Sequence, residues 1–95
     1  MKQHRILLRY SDGEYQLSPT AQRMLKKIHT ADFTIEHVAV LLGYMCAEFY
    51  HNGASPSTCN RWLGTTLYHI AADHGVDDTE RIDELVKANS VDLFI

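Results

Sequence analysis

Apolar residues recur with a period of two at the start of this chain, with helical spacing through its middle, and with a period of two again at its end. Alternation is the pattern of a half-buried strand, and recurrence at three and four residues is that of an amphipathic helix. The first alternating stretch straddles Asp12-Gly13, a pair suited to the positive-φ positions of a type I′ turn. With these two at the tip, Ser11 faces Glu14, Tyr10 faces Tyr15, Arg9 faces Gln16 and Leu8 faces Leu17. Ile6, Leu8, Tyr10, Tyr15 and Leu17 then share one face. Arg5, Arg9, Glu14 and Gln16 share the other, with Leu7 the exception. A lone hairpin is barely stable in water, so this one is expected to pack on helices or to gain a third strand.

Four helices follow from the pattern. Ser18 is a good N-cap and Pro19 fits the first helical position, with Ala21, Met24, Leu25 and Ile28 as the apolar stripe. Thr34 is expected to cap a second helix that runs to about His51. Along it Ile35, Val38, Ala39, Leu42, Met45, Cys46 and Phe49 recur at helical spacing. Val40, Leu41 and Tyr44 extend its apolar surface almost all round, which marks it as the central helix. Asn52-Gly53 supplies its stop. Ser55-Pro56 repeats the cap-and-proline signal for a third helix, which runs to about His74 with Gly75 beyond it. Its buried stripe is Cys59, Trp62, Leu63, Leu67, Ile70 and Ala71. Asp77 and Glu80 form a variant capping box for a short fourth helix with Ile82, Leu85 and Val86 on its apolar side. At the end, Val91, Leu93 and Ile95 alternate with Asp92 and Phe94. That predicts a strand over 91–95, added to the hairpin or paired with a second copy.

The expected architecture is therefore α+β. A hairpin over 1–17, a bundle of four helices over 18–89 and a tail over 90–95 make one domain of 95 residues. Composition changes this picture little. Apolar residues are 45% of the chain and charged ones 22%, as in an ordinary folded protein. The net charge of −3 and the lack of a lysine or arginine run weigh against nucleic acid and anionic membranes, whose binding needs clustered cations. The longest apolar run, Val38 to Ala47, is too short to span a bilayer as a helix. Met1-Lys2-Gln3-His4-Arg5 lacks the apolar core of a secretory leader. Cys46 and Cys59 are accordingly read as reduced thiols of a cytoplasmic protein.

Candidate chemistry is sparse. The segment from Phe33 to Gly43 resembles the first helix and turn of a helix-turn-helix motif, and Ser55 to Leu63 resembles the start of its recognition helix. On that reading Ser57, Thr58, Asn60 and Arg61 would reach phosphates and base edges. Tyr44 to Ala54 lies between the two pieces, where the motif allows only a short turn. One uninterrupted apolar helix, with Gly43 giving close packing, is the simpler account. Six histidines raise the question of a metal. His69 and Asp73 share a helix face, but no C-x-x-C or H-E-x-x-H spacing occurs, so scattered surface histidines are expected and no metal or other cofactor. No nucleophile elbow or glycine-rich phosphate loop is present, so no catalytic residues are expected.

The aromatic residues point further. Tyr10, Tyr15, Tyr44, Tyr50, Tyr68 and Trp62 are many polar-tipped rings for so small a core, and Trp, Tyr and Arg dominate binding hot spots. Arg61, Trp62 and Tyr68, with Arg9 on the hairpin, are the expected partner-binding residues. The plainer alternative is that Trp62 fills the core. The expected function is a non-enzymatic regulatory or inhibitory module that binds a larger protein or a second copy. Small acidic inhibitors and immunity proteins of phages and mobile elements are its class-level analogues. A helix-turn-helix DNA-binding regulator is the runner-up.

Overall fold

The computed structural model describes the backbone of residues 7–10, 13–16, 18–30 and 33–93, and the side chains of 18–28 and 33–93. Its compact domain is built from four helices, α1 (Pro19–Thr30), α2 (Ile35–His51), α3 (Pro56–Asp73) and α4 (Thr79–Ala88), closed by a 3-10 turn over Val91–Leu93. The expected α+β fold is thus corrected: the compact domain itself is all-helical. Among the described residues the buried core is drawn from the helices, Ala54 and the final turn.

Ahead of the helices, Leu7–Tyr10 (β1) and Gly13–Gln16 (β2) run antiparallel and, among the described residues, pair only with each other. The expected hairpin pairing is not the one formed. Leu8 lies opposite Tyr15, Arg9 opposite Glu14 and Tyr10 opposite Gly13, so each partner is shifted by two residues and Gly13 is a strand residue. A slip of two preserves the period-two pattern, so alternation has no power to choose between the registers. Asp12, Ile6 and Leu17, on which the expected turn and face also rest, lie outside the described residues.

The expected terminal strand is also corrected over its first three residues, while Phe94 and Ile95 lie outside the described residues. Val91–Leu93 coils into a 3-10 turn in which Val91 is fully buried and Leu93 is 68% exposed. Residues two apart share a face in a strand but not in a turn of about three residues. Asn60 on α3 holds this turn: its Oδ1 accepts from the Val91 N–H at 3.1 Å, and its Nδ2 donates to Asp92 Oδ2 at 3.3 Å.

The helix limits follow local chemistry. Ser18 Oγ accepts from the Ala21 N–H at 3.2 Å, Thr34 Oγ1 from His37 at 3.2 Å and Ser55 Oγ from Thr58 at 3.1 Å. Each satisfies one of the donors a helix start leaves unpaired. The cap of α4 is Asp78, accepting from the Arg81 N–H at 3.2 Å, rather than Asp77. Val76 sets that choice by docking on the core, its N–H donating to Ala71 O at 2.8 Å, which leaves Asp77 as a spacer. The ends of α2 and α3 share one motif. Gly53 (φ 101°) and Gly75 (φ 74°) take left-handed backbone, and the next N–H returns to Phe49 O in one case and Ala71 O in the other.

Helices α2 and α3 form the central pair. Val38, Leu42, Met45, Cys46 and Phe49 face Cys59, Trp62, Leu63, Leu67 and Ile70 in one core, with Phe49 and Trp62 edge to face at 5.0 Å. Ile28 of α1 and Ile82 of α4 close it at the sides. Polar bonds fix the outer helices. The Ser18 N–H donates to Glu48 Oε1 at 2.6 Å and Ser18 Oγ to Oε2 at 3.2 Å, so a carboxylate from α2 seats the start of α1. Arg81 pairs with Glu36, and Tyr68 Oη donates to Asp83 Oδ1 at 2.6 Å, tying α4 to α2 and α3. Helix α2 is unbroken through Gly43, where an added Cβ would come within 3.2 Å of Asn89.

Candidate functional site

The residues singled out on α3 are placed apart. Trp62 is 5% exposed and lies in the core, so the plainer reading of it holds. Arg61 and Tyr68 are exposed, two turns apart on one side of α3. The Tyr68 hydroxyl is already spent on Asp83, and that bond raises its pKa above the ordinary phenol value. Arg9 lies in β1, with its side chain outside the described residues.

The four residues of the helix-turn-helix reading are equally divided. Ser57 and Arg61 are exposed, Thr58 is buried with its hydroxyl accepting from Ser55 Oγ at 3.0 Å, and both amide atoms of Asn60 hold the final turn. The motif also needs a break after Gly43, and α2 is continuous there. Among the described residues no group of three His, Cys, Asp or Glu side chains comes together in a way that could hold a metal.

Cys46 lies inside the core. Its Sγ donates to Cys59 O at 3.3 Å, and both cysteines are buried and in the reduced form, with no disulfide between them. Burial, with a smaller contribution from Cys59, pushes the Cys46 thiol up to about 12. A thiol that stays protonated at neutral pH is packing, not a nucleophile.

A groove on the outer side of α2 gathers what α3 does not. Helix α2 carries more apolar residues than one buried face can use, and the excess falls at Val40, Tyr44 and Ala47. These three, with Gly43 and His51, form one wall and the floor. Ala88, Asn89, Ser90 and Leu93, at the corner between α4 and the 3-10 turn, form the other wall. The groove encloses about 340 Å³. Tyr44 is 71% exposed and Val40 43%, unusual values for large apolar side chains in the middle of a central helix.

The far wall is held by the tertiary structure. Asn89 Nδ2 donates to Leu85 O at 2.8 Å, Ser90 Oγ accepts from the Asp92 N–H at 3.1 Å, and the Asn60 bonds anchor the turn from α3. None of the described residues that line the groove is Asp, Glu, Lys or Arg. Its polar groups are the Tyr44 hydroxyl, the His51 ring and the amide and hydroxyl of Asn89 and Ser90. A groove this open, with its largest ring standing in solvent, cannot enclose a small molecule in the usual way. It can receive apolar side chains from another protein surface.

The sequence signal for this site was present in the near-continuous apolar surface of α2, read there only as a mark of centrality. Leu93 carried no such signal, because its exposure depends on the turn that Asn60 holds. Comparison with protein-family models, with curated proteins and with solved structures gave no match to this chain.

Proposed function

We propose that this chain is a non-enzymatic regulatory or inhibitory module that works by binding protein through the α2 groove. The observation that carries this reading is the uncharged groove rimmed by the exposed side chains of Val40, Tyr44 and Leu93. Large apolar side chains clustered in the open mark interaction sites, whereas scattered ones do not. Tyr44 is the anchor. Its ring brings area at little entropic cost, and its hydroxyl can stay at the wet rim of an interface. Regulation would be steric, by covering a surface that the bound protein needs.

A photoreactive benzoylphenylalanine at position 44 tests the reading in extracts of cells that make this protein. Adducts to a larger protein are expected from position 44 and not from the same probe at Arg61, which lies away from the groove on α3. Adducts from Arg61 alone, or equally from both, would move the binding face off α2 and defeat the reading.

A further inference from the structure

The exposed stripe of α2 has a symmetry of its own. Val40, Tyr44, Ala47 and His51 are spaced by four, three and four residues. That is the seam spacing of two helices packed side by side. It reads the same from either end about the midpoint between Met45 and Cys46. Reversal exchanges Val40 with His51 and Tyr44 with Ala47, a large ring with a small side chain. Two copies laid antiparallel about a two-fold axis at that midpoint would therefore each set Tyr44 against Ala47 of the other. Such an isologous contact requires that whatever residue i meets also meets residue i. Gly43, Ala47 and Ala88 leave the depression a ring needs.

Electrostatics favour the same occupant. A two-fold axis brings each residue near its own counterpart, so any formal charge on the axis would meet a like charge. The described lining carries no Asp, Glu, Lys or Arg, on a chain whose net charge is −3. The nearest carboxylates on α2 have partners: Glu36, one turn before Val40, is paired to Arg81, and Glu48 is bonded to Ser18.

Area sets the strength. At exposures of 71%, 68% and 43%, Tyr44, Leu93 and Val40 leave roughly 400 Å² of surface open per copy. A standard stable interface buries about 800 Å² on each side. With the groove floor added, the patch suffices for a weak, concentration-dependent dimer and falls short of an obligate one.

We infer that the groove takes Tyr44 of a second copy of this chain, in an antiparallel α2–α2 homodimer. This inference rests on the reading of the groove as a protein-binding face. Sedimentation velocity over a wide concentration range tests it, with circular dichroism to confirm that each variant is folded. The wild-type chain should pass from monomer to dimer as concentration rises, and Tyr44→Arg should be monomeric throughout. Tyr44→Ala should weaken the dimer at least tenfold. The double variant Tyr44→Ala with Ala47→Tyr should recover most of that loss, because the swap keeps a large side chain opposite a small one. A wild-type chain that stays monomeric at the highest concentration, or a dimer that Tyr44→Arg leaves intact, would overturn the inference. In either case, adducts from position 44 to a larger protein would leave the protein-binding reading standing, and their absence would remove it as well.

Discussion

The single hydrogen that Gly43 carries in place of a side chain sets how closely α4 approaches α2. An added Cβ would stand 3.2 Å from both the Cβ and the carbonyl oxygen of Asn89. Asn89 has little room to retreat, because its backbone N–H and its side-chain amide both donate to Leu85 O. Gly43→Ala gains about 1 kcal/mol of helix propensity. It should lose about 1–3 kcal/mol to overpacking. The expected net change is a loss of about 1 kcal/mol, read as a lower urea midpoint with an unchanged slope. The two most prominent rings should behave in opposite ways. Trp62→Ala empties a core site and should cost about 3–5 kcal/mol. Tyr44→Ala removes an exposed ring and should change stability by less than about 0.5 kcal/mol. A Tyr44→Ala variant as unstable as Trp62→Ala would show that Tyr44 is packing. Helical spacing already separates the two rings, since Trp62 falls on the buried stripe of α3 and Tyr44 falls off that of α2.

Caps and stops explain where the helices begin and end, and cross-helix bonds explain how they sit. The signals at Ser18, Thr34, Ser55-Pro56, Gly53 and Gly75 act within a turn of their own position, so they are readable from the chain. The links between helices are not. Arg81 on α4 reaches Glu36 on α2, forty-five residues away. The hydrogen bond from Arg81 holds the Glu36 carboxyl below the usual glutamate range. A carboxylate with a depressed folded pKa adds stability that is present above its unfolded pKa. That stability is lost as pH falls through the folded value. The wild type should therefore melt above Glu36→Gln at neutral pH, by a small margin because the pair is exposed. The difference should vanish once pH drops well below about 4.5. Thermal melts of both proteins across that range measure it, and a gap that persists in acid would remove the pair from the account.

At the scale of the molecule, α2 and α3 share one core to which each remaining helix contributes. Leu42 is fully buried at its centre. Leu42→Ala should cost about 2–5 kcal/mol, and unfolding should remain a single transition because the core is contiguous. Two separate transitions in a denaturant titration would show that the helices form more than one cooperative unit. The groove also belongs to this scale. One wall is a helix face legible in the sequence, and the other exists only because α4 and the final turn fold back over α2.

Local chemistry determined the four helices, the N-caps of the first three and most of their buried stripes, because helical periodicity and end signals act over a few residues. It did not determine the register of β1 and β2, since a slip of two residues leaves the alternation unchanged. It misread the last residues for a related reason. Val91 and Leu93 alternate as strand residues do, but Asn60, thirty-one positions earlier, supplies the acceptor that turns the chain into a 3-10 coil and sends the two side chains to opposite environments. The same distinction divides the site. The sequence could show that α2 has more apolar surface than one core face needs. Only the tertiary structure decided which part of it stays exposed, because burial is set by what packs against a residue and not by the residue itself.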